Sequence, residues 1–478
     1  MVFNSFQFIF FLPGVVLGVT LLRKHIALRN AFLLLSSLSF YGCFKFAFLP
    51  LLLYVIAVNY LGGLALASVE TCAAGHSRSQ KWTLGGIVLL TLFPLLFFKY
   101  TLFLTTTLER LFDATDILLP GWLNGLVLPV GISFFSLQAL TYTIDVYRGK
   151  ISAERNVINV ALAISFFPTL LSGPITRARE LLPQLKTQLN PSLETYVSGG
   201  ETFIWGLFKK AVVADRLAEY VDVLFAAPQN YSGLSLLFGA IGYSIQIYCD
   251  FSGYSDMAVG AANTIGFKLP ENFHQPYFAT GIRDFWKRWH ISLTSWFTEY
   301  LYISCGGNRV SKPRWTLNIL LVFLVSGLWH GASWNFLVWG ALHGMLYLCE
   351  YAVCGKVKSQ IGPWYQQFGK ALLTFSAVTL AWIFFRMPTI DKSWTVIQRI
   401  ALHFGDGKFY TTASSFSFAL MWFVVLVAFA GEIRIWCQSK SAAAISPLSA
   451  GNLVWCLSLL VAVELLSISS SQFVYFLF

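Results

Sequence analysis

The chain has 478 residues, of which 56% are hydrophobic and only 12% charged, with mean hydropathy +0.65 and a net charge of +11. A soluble globular chain carries about 25% charged residues, so a water-soluble enzyme, a disordered chain and a disulfide scaffold are all excluded as descriptions of the whole. The positive charge forms no basic patch within polar surface, as nucleic-acid binding needs. The cysteines (Cys43, Cys72, Cys249, Cys305, Cys349, Cys354, Cys437 and Cys456) are scattered without a C-x-x-C pair, so no metal site is expected.

Apolar runs of about 20 residues, enough to cross a bilayer, fall near 4–22, 30–49, 51–69, 82–104, 124–147, 157–175, 234–262, 317–349, 369–386, 416–436 and 451–468. They predict an all-α polytopic membrane protein with roughly eleven transmembrane segments. No cleavable signal peptide is read, because no Lys or Arg precedes the run from Phe6 to Leu22. Pro94, Pro129 and the Ser172-Gly173-Pro174 turn interrupt their runs. In lipid such interruptions need protein or water to satisfy the freed backbone groups, which predicts re-entrant or broken segments around a cavity. The loops at 23–29, 70–81 and 148–155 hold Arg23, Lys24, Arg29, Arg78, Lys81, Arg148, Lys150 and Arg155. The alternate side has only Lys45, Lys99 and Arg110. That bias predicts a cytoplasmic 23–29 loop and an extracytoplasmic N-terminus.

Residues 201–225 and 282–303 read as amphipathic rather than spanning. In the second, Trp286, Trp289, Leu293, Trp296, Phe297 and Tyr300 recur at helical spacing, and His290 falls on the same stripe. Arg283, Lys287 and Arg288 at its front end suit anionic lipid headgroups. The whole reads as one membrane domain, 1–478, with a motif-bearing core over 124–349 and an aromatic tail at 473–478.

From Trp315 to Cys349, 35 residues pass without a Lys, Arg, Asp or Glu, and His330 is the sixteenth of them. At 1.5 Å per residue it lies roughly 22 Å along a helix from Trp315, near mid-bilayer. Such a length is too long for one span and too short for two, which predicts a break around Gly327–Trp334. A buried ionisable group in a membrane marks function or a satisfied core position, and both readings stand for His330. Gly327/Gly331 and Gly340/Gly344 are small-xxx-small pairs that also suit close helix packing. His343 lies about 220° around a continuous helix from His330, so the two are not expected to pair. His290 and His330 each follow a tryptophan, Trp289 and Trp329, which hints at one shared site. The segment from Tyr248 to Asp256 sets Asp250, Ser252 and Asp256 inside an apolar run. By itself it resembles an ion site in a broken transporter helix, the competing reading; no internal repeat supports that reading.

Four stretches together resemble the membrane-bound O-acyltransferase family: WGLFKKAVVADRLA (205–218), YCDFSGYSDMAVG (248–260), DFWKRWHISLTSWFTEYLYISCGGNR (284–309) and GLWHGASWNFLVWG (327–340). FFPTLLSGPITRARELLPQL (166–185) and WIFFR (382–386) add to them. The likeness is greatest to the bacterial branch that O-acetylates alginate, peptidoglycan or cellulose, and smaller to the teichoic acid D-alanylating branch. It implies tilted helices, with re-entrant and interfacial ones, around a central funnel. It also implies His330 of GLWHG as catalytic and His290 of RWHISL as a second catalytic residue on the cytoplasmic side of the tunnel. Lys287, Arg288, Trp329, Asp250 and Ser252 are the expected substrate-contacting set. The sequence departs from the family at Cys305, where proline is usual. The implied chemistry is acetyl transfer from cytoplasmic acetyl-CoA, with no permanently bound cofactor. The acceptor is an envelope or secreted polysaccharide, reached through an extracytoplasmic acetyltransferase partner protein, and the location is the bacterial inner membrane.

The tail 473–478, Phe-Val-Tyr-Phe-Leu-Phe, follows a polar Ser-Ser-Ser-Gln stretch. It reads either as an interfacial aromatic anchor or as a segment folded back into the funnel. The resemblance implies the second role for Tyr475, as an acyl carrier: a phenol of pKa near 10 is easier to deprotonate than a sugar hydroxyl, and its ester stays activated.

Overall fold

The computed structural model describes residues 1–68, 77–112, 127–355, 362–412, 414–440, 446–468 and 473. Among these, every regular element is helical apart from one bridge pairing Tyr231 with Lys408. Among the described residues, six helical stretches are long and apolar enough to cross a membrane: Ile26–Ala67, Arg78–Glu109, Gly233–Thr264, Trp334–Cys354, Trp364–Arg386 and Ser415–Gln438. The first bends at Phe46–Phe48 into two helices, and Phe6–Leu22 and Ala450–Leu466 are shorter apolar helices. The chain is a multi-pass all-α membrane protein. The remaining runs among the roughly eleven read from hydropathy are broken or short.

The described residues group into two compact units, Met1–Gly200 with Ala258–Pro270, and Glu201–Met257 with Glu271–Phe478. In the first, the 157–175 run is not one helix. Val157–Ser165 ends at Phe166, a single turn Phe167–Leu170 follows, and the chain then bends through Gly173. The Phe167 N–H freed by that break donates to Ser37 Oγ (3.1 Å), so protein replaces the missing helical acceptor. Pro94, by contrast, breaks nothing: Arg78–Phe112 runs through it as one helix. Arg29 also departs from its reading as a free loop cation. It is buried, and its guanidinium donates to the carbonyls of Thr187 (2.7 Å) and Leu185 (2.8 Å). A charge spent on backbone carbonyls says nothing about headgroups, so Arg29 drops out of the orientation count.

In the second unit the 317–349 run is a hairpin of two antiparallel helices, Lys312–His330 and Trp334–Cys354. Taken from Lys312 to Cys354, the chain does suffice for two helices, which corrects the length argument. Glycines allow the two backbones to touch. A methyl group at Gly327 would lie 3.0 Å from the carbonyl carbon of Phe336, and one at Gly340 would lie 3.0 Å from that of Phe323. The expected amphipathic helix 282–303 is likewise split into Ile282–Arg288, Ile291–Trp296 and a wider turn over Phe297–Tyr302. Asn318 Nδ2 donates to the carbonyls of Cys305 (3.2 Å) and Gly307 (3.3 Å), a constraint on the loop that lacks the usual proline.

A second widened turn spans Lys209–Ala214, where the Asp215 N–H bonds back to the Lys210 carbonyl five residues earlier. Both lysines on it are buried. Lys209 Nζ meets Asp256 (2.7 Å), Glu432 (3.6 Å) and Ser252 Oγ (2.8 Å), while Lys210 Nζ meets Asp215 and Asp250 at 2.7 Å each. Such charges are tolerable in a dry interior only because each carboxylate faces an ammonium.

Candidate active site

The Lys312–His330 helix ends on His330 itself, because Gly331 takes an extended conformation and the chain turns back to Trp334. This places the His330 imidazole at the closed end of the hairpin, buried among rings. Its centroid lies 5.0 Å from Trp329, 5.2 Å from Trp339 and 5.2 Å from Phe385, all edge-on. Phe385 comes from the WIFFR stretch.

His290 occupies the break between Ile282–Arg288 and Ile291–Trp296, with a left-handed backbone (φ 44°, ψ 53°) that a β-carbon disfavours. The conformation is held by neighbours. The Ile291 N–H donates to the Asn272 carbonyl (2.8 Å), and the His290 ring is 1% exposed between Phe251 (4.6 Å, edge-on) and Phe273 (6.4 Å, stacked). Its Nδ1 lies 3.0 Å from Asn272 Oδ1. Burial pushes the imidazole down to about 3, so the ring is neutral at physiological pH.

Trp329 joins the two histidines, with its ring 5.9 Å from His290 and 5.0 Å from His330. The two tryptophan-preceded histidines of the sequence therefore converge on one indole. His343 does not join them. Trp339 stands between it and His330, and both His343 nitrogens lack a hydrogen-bond partner among the described residues, boxed by Trp286, Trp339, Phe285, Phe323 and Trp382.

The other sequence-derived residues are dispersed. Lys287 is exposed, and Arg288 is tied to Asp284 (2.9 Å). Asp250 and Ser252 lie on the lysine pairs described above, so the carboxylates a transporter would need for a solute or ion already hold protein ammonium groups. Of the tail, only Phe473 is among the described residues. It is buried, stacked on Tyr254 (4.6 Å) and edge-on to Phe251 (6.1 Å), the ring that meets His290. Tyr475 lies outside the described residues. Asn272 was not singled out in the sequence, because it lies in the connection between two helices where no periodicity marks it.

Two buried imidazoles in an aromatic setting are suited to moving a proton during acyl transfer. Residues 150–387, which contain both histidines, match MBOAT, the membrane-bound O-acyltransferase family. The chain is 38% identical to a probable alginate O-acetylase AlgI of Azotobacter vinelandii, over 85% of this chain and 79% of that protein. It is 35% identical to a peptidoglycan O-acetyltransferase of Helicobacter pylori, over 83% and 79%. A teichoic acid D-alanyltransferase of Bacillus subtilis is 28% identical over 47% and 60%. The hydropathy, the helical fold, the paired histidines and these likenesses agree that the chain belongs to the membrane-bound O-acyltransferase family and is an O-acyltransferase.

Proposed function

We propose that this protein moves acetyl groups from cytoplasmic acetyl-CoA across the bacterial inner membrane for O-acetylation of an envelope or secreted polysaccharide. The observation that carries the reading is the convergence of His290 and His330 on Trp329 in a buried aromatic site. Acetyl is favoured over D-alanyl because the O-acetylating relatives are more similar and are matched over more of this chain. The N-terminus faces outward in this reading. No permanently bound cofactor is required, and a partner protein outside the membrane hands the acetyl group to the glycan.

His330 is the general base, a role worth roughly 10²–10⁴-fold in rate. It takes the phenol proton of Tyr475 as the oxygen attacks the thioester carbonyl; the C–O bond forms, the C–S bond breaks, and the CoA thiolate recovers the proton from the imidazolium. The acetyl ester on Tyr475 then passes to an acceptor hydroxyl, whose proton returns to the phenolate. The buried Phe473, two residues from Tyr475 and one ring from His290, supports a tail that reaches the site. His290 orients the donor or relays a proton, and Lys287 and Arg288 offer charge to the CoA phosphates, a role that lipid headgroups would also draw on. Trp329, between the histidines, contacts the reacting acyl group, and Asp250 and Ser252 border the substrate path.

The test is mass spectrometry of envelope polysaccharides from cells with and without the protein. Loss of O-acetyl groups from one glycan in the deletion strain identifies the acceptor. Unchanged O-acetylation of every glycan refutes the proposal.

A further inference from the structure

Asn272 makes more contacts with the His290 segment than any argument from burial requires. Its carbonyl accepts from Ile291 N–H (2.8 Å), and its Oδ1 faces His290 Nδ1 (3.0 Å), Ser292 Oγ (2.9 Å) and Ser292 N–H (3.3 Å). Its Nδ2 donates to Ser255 Oγ (3.0 Å) on the Gly233–Thr264 helix. Asn272, His290, Ser292 and Ser255 are all buried.

The backbone N–H of Ser292 settles which way the amide points. A main-chain N–H can only donate, so the side-chain atom in front of it is the oxygen; the flipped amide would set two donors against each other. An amide oxygen has no hydrogen to give. The only bond His290 Nδ1 can make to it is one in which the imidazole donates, and this requires the proton to sit on Nδ1. A neutral imidazole carries one proton, which leaves Nε2 as the nitrogen with the lone pair.

We propose that Asn272 is a positioning residue that fixes the Nδ1–H tautomer of His290 and so makes Nε2 the proton-accepting nitrogen of that ring. The proposal rests on the reading above in which His290 relays a proton. The main-chain carbonyl of Asn272 holds the strained backbone through Ile291 N–H, while its side chain holds the ring, so ring orientation and tautomer are set by one residue. The three rings that meet His290, those of Phe251, Phe273 and Trp329, carry no charge.

The tautomer is tested directly by nitrogen NMR of the full-length protein labelled at histidine, with His290 assigned from the signal lost in His290→Gln. The wild-type protein is expected to show a protonated Nδ1 and a bare Nε2; a protonated Nε2 overturns the proposal. The functional consequence is read as CoA thiol release from acetyl-CoA in proteoliposomes. Asn272→Ala is expected to lower kcat at least tenfold with KM for acetyl-CoA changed less than twofold. Asn272→Asp keeps the acceptor oxygen and should retain activity. Its carboxylate favours the imidazolium, so the acidic limb of the rate profile should move to higher pH by about one to three units. Asn272→Ala with parent kcat, where His290→Ala is inactive, overturns the positioning role. If His290→Ala is itself silent, the relay reading of His290 fails, while the NMR result still decides the tautomer.

Discussion

Gly327→Ala separates the packing role of the His330 helix from its chemical one. A methyl group there would lie 3.0 Å from the Phe336 carbonyl carbon and closer still to its oxygen. Non-bonded carbons settle at about 3.5–4.0 Å, so the hairpin must open by at least about 0.5–1 Å, and the obstacle is backbone that no rotamer change removes. Overpacking of this kind costs about 1–3 kcal/mol. His330 lies three residues on, at the end of the same helix, and a misplacement of about 1 Å at a reacting group can cost about 10²-fold. Gly344→Ala is the control. Its methyl would meet Leu320 Cδ2 at 3.0 Å, the far end of a flexible side chain that can turn away. Thermal unfolding in detergent and acetyl transfer in proteoliposomes are measured on both. The expected result is a destabilised, roughly 10–100-fold slower Gly327→Ala protein beside a near-parent Gly344→Ala protein. Equal behaviour of the two variants would refute the close-approach reasoning.

Lys210→Met leaves Asp215 and Asp250 buried without their ammonium and should cost about 3–5 kcal/mol, read as a lowered Tm. Asp250→Asn leaves Lys210 paired with Asp215 and should cost less; a solute flux that required Asp250 without any acyl donor would instead revive the transporter reading. The Lys287→Ala/Arg288→Ala double variant should raise KM for acetyl-CoA several-fold at low salt, with the difference shrinking as ionic strength screens the phosphate contacts. Unchanged affinity would assign these cations to lipid headgroups. Tyr475→Phe keeps the bulk and apolar area of an anchor but removes the hydroxyl, so polysaccharide acetylation should be lost while membrane insertion is kept; acetylation near the parent rate would eliminate the carrier role.

The break beside His330 is legible in the sequence because a long charge-free run with two glycine pairs has no single-helix solution. Convergence of His290 with His330 is legible only as a shared tryptophan neighbour and a family likeness, since the contact spans 40 positions and passes through Trp329. The backbone devices were not legible. Helical spacing runs without interruption through 282–303, yet the chain turns left-handed at His290 because Asn272 and the surrounding rings hold it there. The widened turn at Lys209–Ala214 leaves no mark on an amphipathic pattern, and its lysines are explicable only once Asp250, Asp256 and Glu432 face them. Pro94 misleads in the opposite sense: a proline in a hydropathic run reads as a break, yet the helix passes through it.

The most direct measurement is transfer of labelled acetyl from acetyl-CoA by wild-type and His330→Ala protein, purified in parallel and matched for Tm. Loss of a general base predicts a rate lower by about 10²–10⁴-fold in an otherwise intact protein. Near-parent transfer by His330→Ala would contradict the assignment of the hairpin histidine as the base.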